Sequence, residues 1–243
     1  MRSIRFPEAE VYELCKIKLD TPIIFAGFVG AGLAGPIAVG YMVEKLEMKE
    51  IGYMRSKYLP PATVFIQGRL RHPFRFYSNR GGTICAIVCE IALRMEGLYT
   101  IASSILDWAE RNGSEEIVIL DGVPSKEPHD HKAYCAAEED LCRVMIDKGI
   151  NMVPQGFVTG IAGAILNECL IRKIRGVTLL VRADLEKPDP LAAATLVEAV
   201  NSAYETSIDT NDLRRQEMQI GQDFKDISEK YAQARKSEGN LYM

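Results

Sequence analysis

The sequence predicts an α/β fold: a mixed, mainly parallel sheet flanked by helices on both faces, followed by a long C-terminal helix. Three observations lead there. Short apolar runs such as PIIFAGF, EEIVILDG and GVTLLVRA have strand length and read as strands buried on both faces. Between such runs lie segments with apolar residues at helical spacing, so strand and helix alternate along the chain. Residues 63–78 break that alternation with consecutive strands, which adds an antiparallel insertion.

The elements follow in order. Residues 1–20 read as one or two short strands with a turn. PIIFAGF (22–28) is a buried strand, and a glycine turn leads from it into a helix from about Leu33 to Leu46. EIGYMRS (50–56) is the next strand. TVFIQGRLRHPFRFYS (63–78) reads as a hairpin bending near Gly68, and residues 83–91 form another β-branched apolar run. LYTIASSILDWAERNG places apolar residues at 98, 101, 102, 105, 106 and 109, which is helical spacing, with Gly113 as the stop. EEIVILDG (115–122) is a strand and 123–132 a loop. A helix is expected from about Ala136 to Lys148, then a short strand or turn, then a Gly-led apolar helix over 159–173. GVTLLVRA (176–183) is the last strand. In KPDPLAAATLVEAV, Asp189 can accept from free backbone amides and Pro190 suits the first helical position.

From about Asn211 to Lys236 the pattern is again helical. Leu213, Ile220, Phe224, Ile227, Tyr231 and Ala234 are spaced 7, 4, 3, 4, 3, an a/d-type seam interrupted by Glu217. Such a seam either packs along its own domain or joins subunits, and a helix of that length would extend about 40 Å. The expected organisation is therefore one α/β domain over 1–209, a long helix over 210–236, and a flexible tail over 237–243.

Composition limits the functional classes. A hydrophobic share of 47% with 26% charged residues suits a folded domain and excludes wholesale disorder. The formal net charge of −4 supplies no basic field for nucleic acid. Arg69, Arg71, His72, Arg75 and Arg80 read instead as the solvated face of a β-ribbon. None of the six cysteines forms a C-x-x-C pair, so reduced buried thiols are expected. The N-terminal stretch has no apolar signal-peptide core, which fits a cytoplasmic protein. Ile23–Val43 is long enough and apolar enough to be a membrane span. Its five glycines and Pro36 favour a buried strand, tight turn and buried helix, and no membrane association is expected.

Catalytic motifs are scarce. GAGLAG (Gly30–Gly35) matches a dinucleotide-binding turn between strand and helix, yet the next strand ends in MRSK, without the acidic ribose ligand. Arg55 would suit a 2′-phosphate instead. GFVTGIAG (156–163) repeats the same Gly-rich design, which favours close helix–sheet packing as its purpose, with nucleotide or nucleoside binding as the alternative. His129 and His131, with Asp121 or Asp130, could offer metal ligands, but a solvated loop is the preferred reading. No nucleophile elbow, P-loop or H-E-x-x-H is present, so no catalytic residues, cofactor or metal are assigned and the chain is read as a non-enzyme.

VPQGFVTGIAGAILNECL, TLLVRADLEKPDPLAAATLVEAV and SIDTNDL resemble the proteasome assembly chaperone family, especially its archaeal members. The likeness rests on Gly156, Gly160 and Gly163, on Pro188, Asp189, Ala192 and Ala193, and on Ile208 and Asp209. FAGFVGAG resembles the family's first strand and turn. The resemblance implies a nucleoside-phosphorylase-like α/β fold without that active site, and self-association, with four or five subunits by analogy. Some archaeal members end in a hydrophobic-Tyr-X motif that docks between α-subunits of the proteasome core particle without ATP. Leu241, Tyr242 and Met243 match that motif. Burying the Leu241 and Tyr242 side chains would contribute about 1.5–3 kcal/mol each before ordering costs. Several tails on one oligomer would add avidity. A tail folded against its own oligomer is the competing expectation.

Overall fold

The computed structural model describes residues 7–15, 18–66, 68–125, 132–185 and 187–215. Eleven strands and six α-helices occur among them, in the order β1 (Ala9–Glu13), β2 (Ile23–Gly27), α1 (Ala34–Lys45), β3 (Lys49–Ser56), β4 (Val64–Ile66), β5 (Arg69–Arg71), β6 (Phe74–Ser78), β7 (Ile84–Cys89), α2 (Leu98–Arg111), β8 (Glu116–Pro124), β9 (Ala133–Ala137), α3 (Glu139–Asp147), β10 (Asn151–Met152), α4 (Gly160–Arg172), β11 (Arg175–Ala183), α5 (Pro190–Tyr204) and α6 (Asn211–Arg215).

Nine strands form one sheet in the order β1-β3-β6-β7-β2-β8-β11-β9-β10. The four central strands β7, β2, β8 and β11 are parallel, and antiparallel strands flank them. Helices cover both faces, so the central strands are buried on both sides and lack polar alternation. On β8, Val118 and Leu120 face the layer of α1, α3 and α5, whereas Ile117 and Ile119 face α2 and α4. Cys85 and Cys89 on β7 share the second face, as their spacing predicts. The uncharged stretch Ile23–Val43 splits into β2, a turn and most of α1, and no described helix is long and apolar enough to cross a membrane.

Local signals explain several boundaries. Asp189 Oδ1 accepts from the Ala192 amide at 2.9 Å and Pro190 opens α5, the predicted cap. Gly113 takes φ 72 just past α2, where a side chain would be strained. Gly68, with φ 75, turns β4 into β5.

Three expectations need correction. The 63–78 hairpin is only β4 and β5. Beyond Pro73, Phe74–Ser78 joins the main sheet between β3 and β7, where Phe74 and Phe76 are fully buried. The helix expected from Ala136 begins at Glu139, because Ala133–Ala137 pairs with β11 and buries Cys135. Sheet pairing overrides the helix propensity of its alanines there. Arg75 is also not part of a solvated face. It is 3% exposed, and its guanidinium donates to Glu90 at 2.7 Å, to the Tyr77 hydroxyl and to the His72 carbonyl. Burial alone would lower the Arg75 pKa, but Glu90 and Tyr77 more than reverse that, so it stays charged. Arg69, His72 and Arg80 are exposed, as expected.

Of the expected long C-terminal helix, α6 is the described part. Leu213 is fully buried in its own subunit's core beside α5, so it is not available to a seam between subunits. Ile220, Phe224, Ile227 and Tyr231 lie outside the described residues, as do residues 237–243.

Candidate functional site

In open α/β sheets, ligands collect beyond the carboxyl ends of the parallel strands, where the strand order reverses. Here that place lies beside β2, between β7 and β8. The Gly30–Gly35 turn and Asp121 both reach it.

The crevice is closed by the chain's own atoms. A Cβ on Gly30 would stand 2.3 Å from Asp121 Oδ1, so that carboxylate lies directly on the glycine backbone. Gly32, at φ 61, presses on the side chains of Ala183 and Asp189, and its carbonyl accepts the Asp189 amide at 2.8 Å. A Cβ on Gly35 would stand 2.2 Å from the Leu120 carbonyl oxygen, and one on Gly122 would stand 2.1 Å from the Ala31 carbonyl oxygen. These glycines let α1 and its leading turn touch the sheet through backbone alone. The turn is therefore a packing device, the first of the two readings of its motif.

Among the described residues, the arginine that the sequence offered for a 2′-phosphate is also not at this place. Arg55 sits on β3, which β6 and β7 separate from β2, and its guanidinium stacks on the Tyr12 ring. Asp121 accepts the Gly122 amide at 2.8 Å, and burial raises its pKa to about 6 despite that hydrogen bond. Among the described residues no three His, Cys, Asp or Glu side chains cluster to hold a metal ion, and His129, Asp130 and His131 lie outside those residues. The buried thiols of Cys85, Cys89 and Cys169 are pushed up to about 12 by desolvation, so they are poor nucleophiles. Cys15 is exposed.

The surface holds what the crevice does not. A groove of about 890 Å³ runs between the β4–β5 ribbon and the C-terminal half of α1 with the turn after it, lined by Glu44, Glu47 and Glu50 and by Arg69 and Arg71. On the opposite face of the sheet, Leu170 and Ile171 stand out from α4, and Phe157 precedes that helix almost entirely exposed. Sequence reasoning missed these surfaces. Periodicity marks Leu170 and Ile171 as core in an all-apolar helix, and only the packing of α4 against α2 and β11 shows which side is left out.

The body of the domain also fixes where the C-terminal segment departs. Tyr41 Oη donates to the Asp209 carbonyl at 2.6 Å, and Arg214 pairs with Glu198 on α5 at 2.8 Å. Lys45 on α1 pairs with Asp212. Residues 209–214 are thus held to α1 and α5.

The class is an α/β protein with a mixed, parallel-centred sheet between two helical layers, and the chain belongs to the PAC2 family, which it matches over residues 24–228. The structure of a Thermoplasma acidophilum protein of unknown function is 33% identical, superposes with a TM-score of 0.86, and matches 90% of this chain and 91% of that one. PbaA of Pyrococcus furiosus, an archaeal homologue of proteasome-assembly chaperone, is 25% identical with a TM-score of 0.81 over 93% of this chain and 99% of its own. An uncharacterised Methanocaldococcus jannaschii protein is 23% identical over 219 residues, 90% of each chain. P. furiosus PbaB, an archaeal proteasome activator, shares the fold at 18% identity with a TM-score of 0.79 over 91% of this chain and 99% of its own.

Proposed function

We infer that this chain is a non-enzymatic proteasome-binding protein, an assembly chaperone or ATP-independent activator. It acts as a homo-oligomer whose Leu241, Tyr242 and Met243 dock on the α-ring of the core particle. The carrying observation is membership of the PAC2 family together with the similarity to PbaA over 93% of this chain. The filled crevice supports it, because the place where an α/β enzyme would hold its ligand is occupied by Asp121, Ala183 and Asp189. In this reading α1 and α5 serve as the base of an arm. Their bonds to Asp209, Asp212 and Arg214 transmit the position of the body to the segment that carries the tail.

Each tail supplies two apolar side chains and a carboxylate, and the carboxylate pairs with a lysine of the receiving pocket. One tail binds weakly, and several on one particle bind through effective concentration. The test is capture of purified proteasome core particles by the full chain and by a chain lacking residues 241–243, with peptide hydrolysis by the core particle read in parallel. The truncated chain is expected to lose capture by more than about tenfold. Equal capture by both chains refutes tail docking. No capture by either refutes the proteasome reading itself.

A further inference from the structure

Helix α4 has the composition of a buried helix but lies on the surface. In GIAGAILNECLIR the only charged side chains are Glu168 and Arg172. Both are turned toward α2, where Arg172 donates to Asp107 at 2.6 Å, to the Ser103 hydroxyl at 2.6 Å and to Glu110 at 3.0 Å. The outward side is left without charge, with Leu170 55% and Ile171 73% exposed. An exposed helix face that carries large apolar side chains and no charge is expected to be covered.

The two ends of α4 differ in shape. Just before its N-terminus stands Phe157, 98% exposed. Near its C-terminus a largely apolar groove of about 250 Å³ opens between the helix and the end of β9, lined by Ala137, Leu166, Cys169, Leu170 and Ile174, with Glu138 in the same lining. Phe157, almost fully exposed, does not fill the groove of its own subunit, and α4 rises about 15 Å from Gly160 to Leu170 at the groove.

The charges at this edge run the same way. Lys132 precedes β9 and Glu138 follows it, at opposite ends of one strand; both are exposed, and neither has an ion pair with another described residue. Rotation by a half-turn about an axis in this face and perpendicular to α4 brings each end against the other end of a copy. Phe157 then meets the groove, and Lys132 meets Glu138, twice over. The exposed parts of Phe157, Leu170 and Ile171 amount to roughly 400 Å² of apolar surface, close to the apolar share of the ~800 Å² per partner that a stable interface buries.

We propose that the outward face of α4 binds a second copy of this chain, with the two α4 helices antiparallel about a two-fold axis and Phe157 of each copy seated in the groove of the other. This contact is independent of the C-terminal segment. Sedimentation velocity of the full chain tests it. Phe157→Asp and Leu170→Asp each weaken association by at least about tenfold, shifting the particle to lower mass. Both sites are exposed, so the circular dichroism spectrum keeps its wild-type shape, and melting temperature falls only by what the lost association contributed. Lys132→Glu and Glu138→Lys each weaken association, and the two together restore it, which a merely solubilising change would not do. Unchanged mass in the two Asp variants, or a double charge swap no better than either single one, overturns the proposal. A folded Phe157→Asp chain that keeps its mass but loses capture of another protein also overturns it, and assigns the face to a foreign partner.

Discussion

Replacing Asp121 with asparagine keeps the side-chain oxygen that accepts the Gly122 amide and removes the charge. The ordinary aspartate value is 3.8, and burial at the end of β8 raises Asp121 to about 6. The native state therefore holds this proton more tightly than the unfolded chain does. Between pH 3.8 and pH 6 the folded protein binds more protons, so this group's contribution to stability falls as pH rises. Above pH 6 the ionised carboxylate destabilises the fold by a constant amount. At about 1.4 kcal/mol per pH unit the upper bound is about 3 kcal/mol, and partial solvation reduces it to about 1–2 kcal/mol. Urea unfolding of wild type and Asp121→Asn at pH 4 and pH 7.5 reads this directly. The variant should be more stable by about 1–2 kcal/mol at pH 7.5 and nearly equal to wild type at pH 4. A variant less stable at pH 7.5, or a difference that ignores pH, would show that the carboxylate gains more from its neighbours than burial costs it.

Two other perturbations test the packing. Gly35→Ala puts a methyl 2.2 Å from the Leu120 carbonyl, and Gly40→Ala, in the same helix, meets nothing within 4 Å. The first should lower stability by more than about 3 kcal/mol or abolish soluble expression, and the second should raise it by about 0.5–1 kcal/mol, both read from chemical denaturation. Arg75→Met leaves Glu90 buried without its cation and should cost about 3–5 kcal/mol, whereas Arg75→Met with Glu90→Leu should recover most of that in the same assay.

Short-range chemistry was readable in advance. Asp189 and Pro190, Gly68 and Gly113 each act within a few residues of their own position, and each does what its residue type suggests. The central strands were readable because burial on both faces leaves an unbroken apolar run. Long-range partners were not. Arg75 stands among four other basic residues and looks solvated, but its carboxylate lies 15 residues away, just past the end of the neighbouring strand. Ala136 and Ala137 favour helix by composition, and only the presence of β11 alongside makes them a strand. Leu213 fits a seam by spacing, yet a fully buried position in its own core decides where it packs. The glycine turn carried two meanings in sequence, and the atoms against it, Asp121 and the Leu120 carbonyl among them, separate those meanings.

The sheet order has a consequence for synthesis. β2, the strand at the middle of the parallel core, is translated early, but its two neighbours, β7 and β8, arrive only after residues 84–89 and 116–124 are made. At 5–20 residues per second, the stretch from Val43 to Leu120 takes roughly 4–15 s to make. For that interval Ile23–Val43, the uncharged segment with the length of a membrane span, has been made without its final neighbours. A chain read here as one that assists the assembly of other proteins thus has a nascent form with its own interval of exposure to lipid and to aggregation, ended only when β8 closes over β2.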